Sequence, residues 1–456
     1  MNLSEVIQKQ RDFAFSGKAK DLSFRREALT KLRELLLSHE QELTQAIHLD
    51  FKKSPFETYM TELSLIHHEI NLALKNLKRW SRPKKVWTDL ANLPGRSFIM
   101  PCPYGHALII GAWNYPYQLT LVPLISAIAA GNNCVVKPSE LSFHTSEILA
   151  KLINSHFDPT FLYVAQGGPQ VTQELLTHKF DKIFFTGSTH VGQIVAQAAA
   201  LHLTPVTLEL GGKSPCIVLK DSDIKTSAQR IAWGKCLNAG QTCVAPDYLL
   251  IERPLYETFL SELKIQMNKV VGPDPLNSES YTRIINQRHY ERLIKLIDPD
   301  KVYAGGLGHA SENFIEPTIL KDISFNDEVM KEEIFGPILP VIPFDDLNQI
   351  ISEIKRRPHP LALYVFGKDE KKIAHILEET TFGGGAVNEV VMHLSNPRLP
   401  FGGVGSSGMG AYHGEHGFKN FSHYKSILKR TSWFELPIKY APYTSWKQKI
   451  IRLLLG

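Results

Sequence analysis

The chain has 456 residues, is 43% hydrophobic and 21% charged, and carries a formal net charge of +5. This length predicts two or three domains, and the scattered Lys and Arg exclude a nucleic-acid reader, which needs a basic stripe or a known motif. Five cysteines (Cys102, Cys134, Cys216, Cys236 and Cys243) form no CxxC pair, which excludes a disulfide scaffold and a structural zinc site and favours a reducing compartment.

The N-terminus, Met1 to Lys20, is polar and has no apolar h-region, so no secretory signal is read and the cytoplasm is the expected location. Leu29, Leu32, Leu35 and Leu36 recur at helical spacing, and residues 1–80 read as helices. Val86–Met100 reads as extended, with a turn at Pro94-Gly95, and Cys102 lies between two prolines in an expected turn. No apolar run reaches the roughly 20 residues needed to span a bilayer; the longest, Leu119–Ala130, contains Pro123.

From His106 the pattern alternates. Strands are expected at Ala107–Gly111, Cys134–Lys137, Phe161–Ala165, Lys182–Thr186 and Val206–Leu210. Helices are expected between them at Ile125–Ala130, Ser146–Ile153, Val171–His178 and Val191–Leu203. This is the α/β class, a parallel sheet with helices on its faces, and ligands bind at the carboxyl edge of such sheets. A second α/β block follows Gly212, with expected strands at Tyr248–Ile251, Ile338–Ile342, Ala362–Phe366 and Gly385–Asn388. The glycine-rich run Gly402–Gly410 suits a loop crossing close to other backbone. The tail from Trp446 mixes Lys and Arg with apolar residues. It can pack on its own domain or on a partner subunit, the preferred reading, or lie on a membrane surface.

Four groups of residues can carry chemistry. Cys134 and Cys216 sit in apolar strands, and Cys236 on an amphipathic helix. Cys243, in Asn238-Ala-Gly-Gln-Thr-Cys, follows a glycine turn and is either a presented nucleophile or a buried structural thiol. Glu209 ends an apolar strand and is either a general base or the salt-bridge partner of Lys213 or another cation. Asn114, after a strand end, is either an oxyanion donor or an Asx turn before Pro116. Cofactor elements are Phe185-Thr-Gly-Ser-Thr-His-Val-Gly, a strand-turn-helix without GxGxxG spacing; Lys137-Pro-Ser-Glu140; and Glu332-Glu-Ile-Phe-Gly-Pro. Each can equally be polar loop or acidic helix end.

Taken in order, these segments resemble the aldehyde dehydrogenase superfamily. The resemblance rests on Gly111-Ala-Trp-Asn-Tyr-Pro, Lys137-Pro-Ser-Glu, Phe185-Thr-Gly-Ser-Thr, Leu208-Glu-Leu-Gly-Gly-Lys, Gly240-Gln-Thr-Cys, Glu332-Glu-Ile-Phe-Gly-Pro and Pro400-Phe-Gly-Gly. These span about residues 105–420, and the short N-terminus and Val-Ala-Pro-Asp-Tyr after Cys243 resemble the class 3 branch, which handles medium-chain, fatty or aromatic aldehydes.

The resemblance implies an aldehyde dehydrogenase-like fold. Residues 1–80 and 102–210 would form a Rossmann-like NAD(P)-binding domain and 211–400 the α/β catalytic domain. Residues 81–101 and 420–445 would form a small β oligomerisation arm, and 446–456 the amphipathic tail. It implies oxidation of an aldehyde to the carboxylic acid through a thioester on Cys243, with Asn114 and the Cys243 N–H holding the oxyanion and Glu209 activating the hydrolytic water. Lys137 and Glu140 would contact the adenosine ribose. Gly187, Ser188, Val191 and Gly192 would lie near the pyrophosphate, Glu333 would bind the nicotinamide ribose, and Phe335 would pack near the ring. NAD is the expected cofactor, with some NADP use, and no metal is required. Trp113, Tyr115, Trp233 and Tyr412 line an apolar aldehyde tunnel in this reading, or are ordinary aromatic core. A homodimer and a small-molecule aldehyde are the expected partners. Three rivals remain: a coenzyme-A acylating relative, disfavoured by Glu209; a non-catalytic binding protein, disfavoured by the intact Cys243, Glu209 and Asn114; and a cysteine hydrolase, for which no histidine motif pairs with Cys243.

Overall fold

Alternating strands and helices after His106 build a six-stranded sheet in the order Gly408–Met409, Val206–Glu209, Lys182–Thr186, His106–Ile110, Asn133–Lys137, Leu162–Val164. The computed structural model describes residues 2–455; Met1 and Gly456, the last residue of the expected tail, lie outside the described residues. Five of the six strands are parallel, and only Gly408–Met409 runs antiparallel to its neighbour. Both faces of this sheet are covered. Ala107, Ile109, Val136 and Phe184 enter one apolar cluster, whereas Leu108, Ile110, Val135, Ile183 and Phe185 enter another on the opposite face. That period-2 split between two cores is what makes the strands read as continuous apolar runs.

The chain then builds a seven-stranded sheet, ordered Val302–Ala304, Thr318–Leu320, Ile338–Phe344, Tyr248–Glu252, Pro215–Val218, Ala362–Phe366, Gly384–Val387. It is parallel except at Val302–Ala304. A third, antiparallel sheet joins Lys84–Val86, Arg96–Pro103 and Ser422–Lys429. The glycine run returns the chain to the first sheet: Gly408 pairs with Glu209, where an added Cβ would sit 2.4 Å from the Leu208 carbonyl oxygen. Only glycine permits that approach.

Two local expectations change. Cys102 lies within the strand Arg96–Pro103, opposite His423, not in a turn. Its flanking prolines are tolerated because the Lys84–Val86 pairing stops at Ile99, so on that side Pro101 and Pro103 have no ladder partner to lose. The apolar helix runs from Gln118 to Ala130 and passes through Pro123 without a break. Every residue of it is buried, so packing outweighs the one hydrogen bond that Pro123 cannot donate.

The final helix, Ser445–Leu455, packs near the Leu90–Asn92 turn. Lys447 is buried and donates from Nζ to the carbonyls of Tyr440 (2.8 Å) and Pro442 (3.0 Å). Among the described residues, no helix is long and apolar enough to cross a membrane.

Candidate active site

Parallel strands bring their carboxyl ends to one edge, and the register fixes which residues meet there. Ile110 stands opposite both Lys137 and Phe185, and Thr186 opposite Glu209. The segments that leave this edge carry Asn114, Lys137, Ser188 and Glu209.

Glu209 ends its strand 2% exposed, and neither carboxylate oxygen has a hydrogen-bond partner among the described residues. Lys213 does not serve it. That lysine is bonded to Asp247 and to the carbonyls of Val329 (2.9 Å) and Glu332 (2.8 Å). The salt-bridge alternative for Glu209 is thereby removed. Burial pushes the Glu209 carboxyl well above the usual carboxylate range. An orphaned buried carboxylate is costly and marks a site of use rather than of stability.

Cys243 is half-buried, and burial raises its thiol, helped by the charges of Glu333 and Glu209. The three groups therefore share one locality. The helix Ile224–Cys236 ends in a tight turn, Leu237–Gly240, that presents Gln241–Cys243. Asn238, Ala239 and Gly240 have φ of 52°, 51° and 72°. A Cβ on Gly240 would meet the Gly336 carbonyl oxygen at 2.2 Å, so this turn requires glycine there. Cys134 and Cys216 in their strands, and Cys236 on its helix, are buried.

Asn114 is 3% exposed and donates one amide hydrogen to the Gln241 carbonyl (3.0 Å). An Asx turn would direct that side chain to its own backbone; here it spans to the Cys243 loop and keeps a second N–H. Tyr115 follows, with its hydroxyl 2.6 Å from Thr242 Oγ1. Tyr412 is fully buried, with its hydroxyl unpartnered, and its ring meets Phe184 edge-on at 4.9 Å. Trp113 packs against Phe335 and His289, both at 5.4 Å between ring centroids. Trp233 is half-buried against the core.

The dinucleotide elements separate into two groups. Lys137 is 1% exposed and pairs with the more exposed Glu140 at 3.1 Å, so the two side chains first meet each other. Ser188 caps the helix Thr189–Ala200, accepting from the Val191 N–H at 3.3 Å. Gly187 bonds to the Glu209 carbonyl (3.0 Å), and a Cβ there would strike the Phe185 ring at 2.5 Å. Gly192 is similarly confined by Leu210. Glu333 is no solvated helix end. It lies against Gly211, whose added Cβ would meet Oε2 at 2.0 Å. Burial, with Asp247 nearby, lifts its carboxyl to about 8. Asp247 also accepts from the Ile334 N–H at 2.9 Å, fixing the segment that carries Glu333 and Phe335.

Pattern reading missed Lys53, Glu57, Glu62 and Asn238. Lys53 and Glu62 form a fully buried ion pair (2.9 Å), and Glu62 accepts from the N–H groups of Tyr117 (2.8 Å) and Gln118 (3.3 Å). Glu57 accepts from the Asn238 N–H at 2.8 Å. The three charged residues signalled themselves only as charges near helices that go into the core, and Asn238 only as part of the run that leads to Cys243.

The carboxyl edge of the parallel sheet thus brings together a capped helix start, a thiol and a buried carboxylate. The family model described as "Aldehyde dehydrogenase family" matches residues 4–427, and the chain belongs to that family. It is 44% identical over 433 residues to the 4,4'-diaponeurosporen-aldehyde dehydrogenase of Staphylococcus aureus, covering 94% of each chain. It is also 44% identical over 430 residues to the dimeric NADP-preferring aldehyde dehydrogenase of Mus musculus, covering 94% of this chain and 95% of that one. The solved substrate-bound state of Staphylococcus aureus AldH superposes with a TM-score of 0.98 at 42% identity, over 100% of both chains. The protein is therefore an NAD(P)-dependent enzyme that oxidises aldehydes to carboxylic acids.

Proposed function

We propose that Cys243 is the nucleophile, Asn114 the oxyanion donor and Glu209 the base that activates the hydrolytic water. The observation that carries this reading is Glu209: a buried carboxylate with both oxygens free, near enough to Cys243 to raise its thiol. Deprotonated Cys243 attacks the carbonyl carbon, forming the C–S bond and placing negative charge on oxygen. The free Asn114 N–H and the Cys243 backbone N–H hold that oxygen. A nicotinamide held there would supply the hydride acceptor; loss of hydride from the former carbonyl carbon and re-formation of the C=O bond leave an acyl thioester on Cys243. Glu209 takes a proton from water, the water oxygen bonds to the acyl carbon, the C–S bond breaks, and the carboxylic acid departs with the thiolate restored.

The edge residues fit a dinucleotide. Gly187 and Gly192 leave no room for a side chain, and Ser188 starts a helix whose free N–H groups suit a pyrophosphate. Lys137 with Glu140 would hold the adenosine ribose, Glu333 the second ribose, and Phe335 the ring. Glu140 favours NAD by repelling a 2′-phosphate, and Lys137 beside it permits NADP use.

The substrate is an apolar aldehyde of the medium-chain, fatty or aromatic type, received between Trp113, Tyr115, Trp233 and Tyr412. The Staphylococcus aureus relative carries a name for a long apolar aldehyde, which supports this. The enzyme is a cytoplasmic homodimer whose β arm is the sheet of Lys84–Val86, Arg96–Pro103 and Ser422–Lys429, with the tail packed on protein rather than membrane. The mouse relative's name includes dimeric, which supports the assembly. The test is NADH formation across an aldehyde chain-length series, wild type beside Cys243→Ala. Activity lost in the variant, with an optimum at longer apolar chains, is expected. Activity retained without the thiol would overturn the reading.

A further inference from the structure

Asn114 can serve an oxyanion only if its carboxamide is held at one angle, because the charge develops at one place. Its side chain is anchored by a single bond, Nδ2 to the Gln241 carbonyl at 3.0 Å. Both ends of that anchor rest on Asn238. The Asn238 side-chain amide donates to the Asn114 carbonyl at 2.8 Å and to the Gln241 carbonyl at 3.1 Å. Asn238 is fully buried, and its Oδ1 has no partner. The residue is thus placed for its two donors alone.

Its own position is equally fixed. Its backbone N–H donates to Glu57 Oε1 at 2.8 Å, and its φ of 52° lies in the left-handed region, which Asn tolerates. From the other side, Lys53 Nζ approaches the Asn114 carbonyl at 3.5 Å and lies 4.2 Å from the Tyr115 ring centroid. Gln241 is held in turn by its own amide, which bonds Asn238 O at 3.1 Å and Arg283 O at 3.0 Å.

We infer that Asn238 is a positioning residue for oxidation: its amide clamps the Asn114 segment to the Cys243 loop and so sets the oxyanion site. This rests on the assignment of Asn114 as the oxyanion donor. Displacing a reacting group by about 1 Å costs on the order of 10²-fold in rate.

The test is a double-mutant cycle on the pre-steady-state NADH burst, using N238G, N114A and the double variant of the full-length enzyme. Glycine at 238 keeps the left-handed backbone and removes the clamp; N238D, which keeps shape and backbone but turns donors into acceptors, is the second variant should N238G not fold. N238G and N238D should each slow the burst about 10²-fold, with NADH affinity by fluorescence titration and the alkylation rate of Cys243 unchanged. N114A should slow it about 10²- to 10³-fold, and adding N238G to N114A should slow it no further. Independent, multiplicative losses in the double variant, or a wild-type burst in both N238G and N238D, would overturn the inference about Asn238. A wild-type burst in N114A would instead overturn the assignment of Asn114 and this inference with it.

Discussion

Replacing Glu209 by Gln keeps the size and shape of the side chain and removes its ability to take a proton. The carboxyl is 2% exposed, neither oxygen is bonded, and Lys213 is committed to Asp247. No ion pair is broken, so the substitution should not destabilise the fold. The chemistry should change far more. Loss of a general base costs about 10²- to 10⁴-fold, or roughly 3–6 kcal/mol at about 1.4 kcal/mol per tenfold. That loss should fall on thioester hydrolysis alone. Stopped-flow mixing with NAD and an apolar aldehyde should show a burst of NADH at the wild-type rate, close to one per Cys243, followed by a much slower steady phase. Wild-type steady turnover would refute the base role, and loss of the burst itself would place Glu209 in the earlier step. Stability adds an independent check. The folded pKa of Glu209 is raised, so native protein keeps a proton that the unfolded chain loses from about pH 4.3 upward. That contribution is full below this value and is lost as pH rises through the raised folded value. Glu209→Gln should therefore flatten the fall of Tm with rising pH.

Other outcomes follow from the same geometry. Because burial raises the Cys243 thiol, which acts deprotonated, the burst rate should climb from neutral to alkaline pH, and because it raises Glu209 the steady rate should climb as well; flat profiles would contradict those environments. Lys213→Met would leave Asp247 buried and unpaired, costing about 3–5 kcal/mol in denaturant titrations and raising the KM for NAD through the loosened Glu333 segment. Gly240→Ala meets the Gly336 carbonyl and an unfavourable φ, so it should lower Tm and activity together, whereas a variant with wild-type kinetics would show that the turn can rearrange. Glu140→Gln should raise NADP use relative to NAD in kcat/KM; an unchanged ratio would remove Glu140 from the ribose site.

The regular strands were legible because burial on both faces writes an uninterrupted apolar run. Lys182–Thr186 and Ala362–Phe366 match their expected bounds to the residue. Contiguous motifs likewise marked Asn114, Glu209 and Cys243, since each sits at or just past the end of a regular element. What escaped was nonlocal. Whether Glu209 pairs with Lys213 depends on Asp247, 34 residues beyond that lysine. The support of Asn114 comes from Asn238, 124 positions away, and Asn238 leans on Glu57, 181 positions away. Local periodicity reads none of these, because a side chain's partner is set by packing. Cys102 was misplaced for a related reason: two prolines signal a turn unless an open strand edge spares them, and the short Lys84–Val86 partner leaves such an edge.

On the proposed mechanism the acyl group passes through Cys243. Glu209→Gln enzyme mixed with NAD and aldehyde, acid-quenched after the burst and digested, should yield the peptide containing Cys243 heavier by one acyl group, with the other four cysteines unmodified. An NADH burst with no acyl mass on Cys243, or with that mass on another residue, would contradict the account.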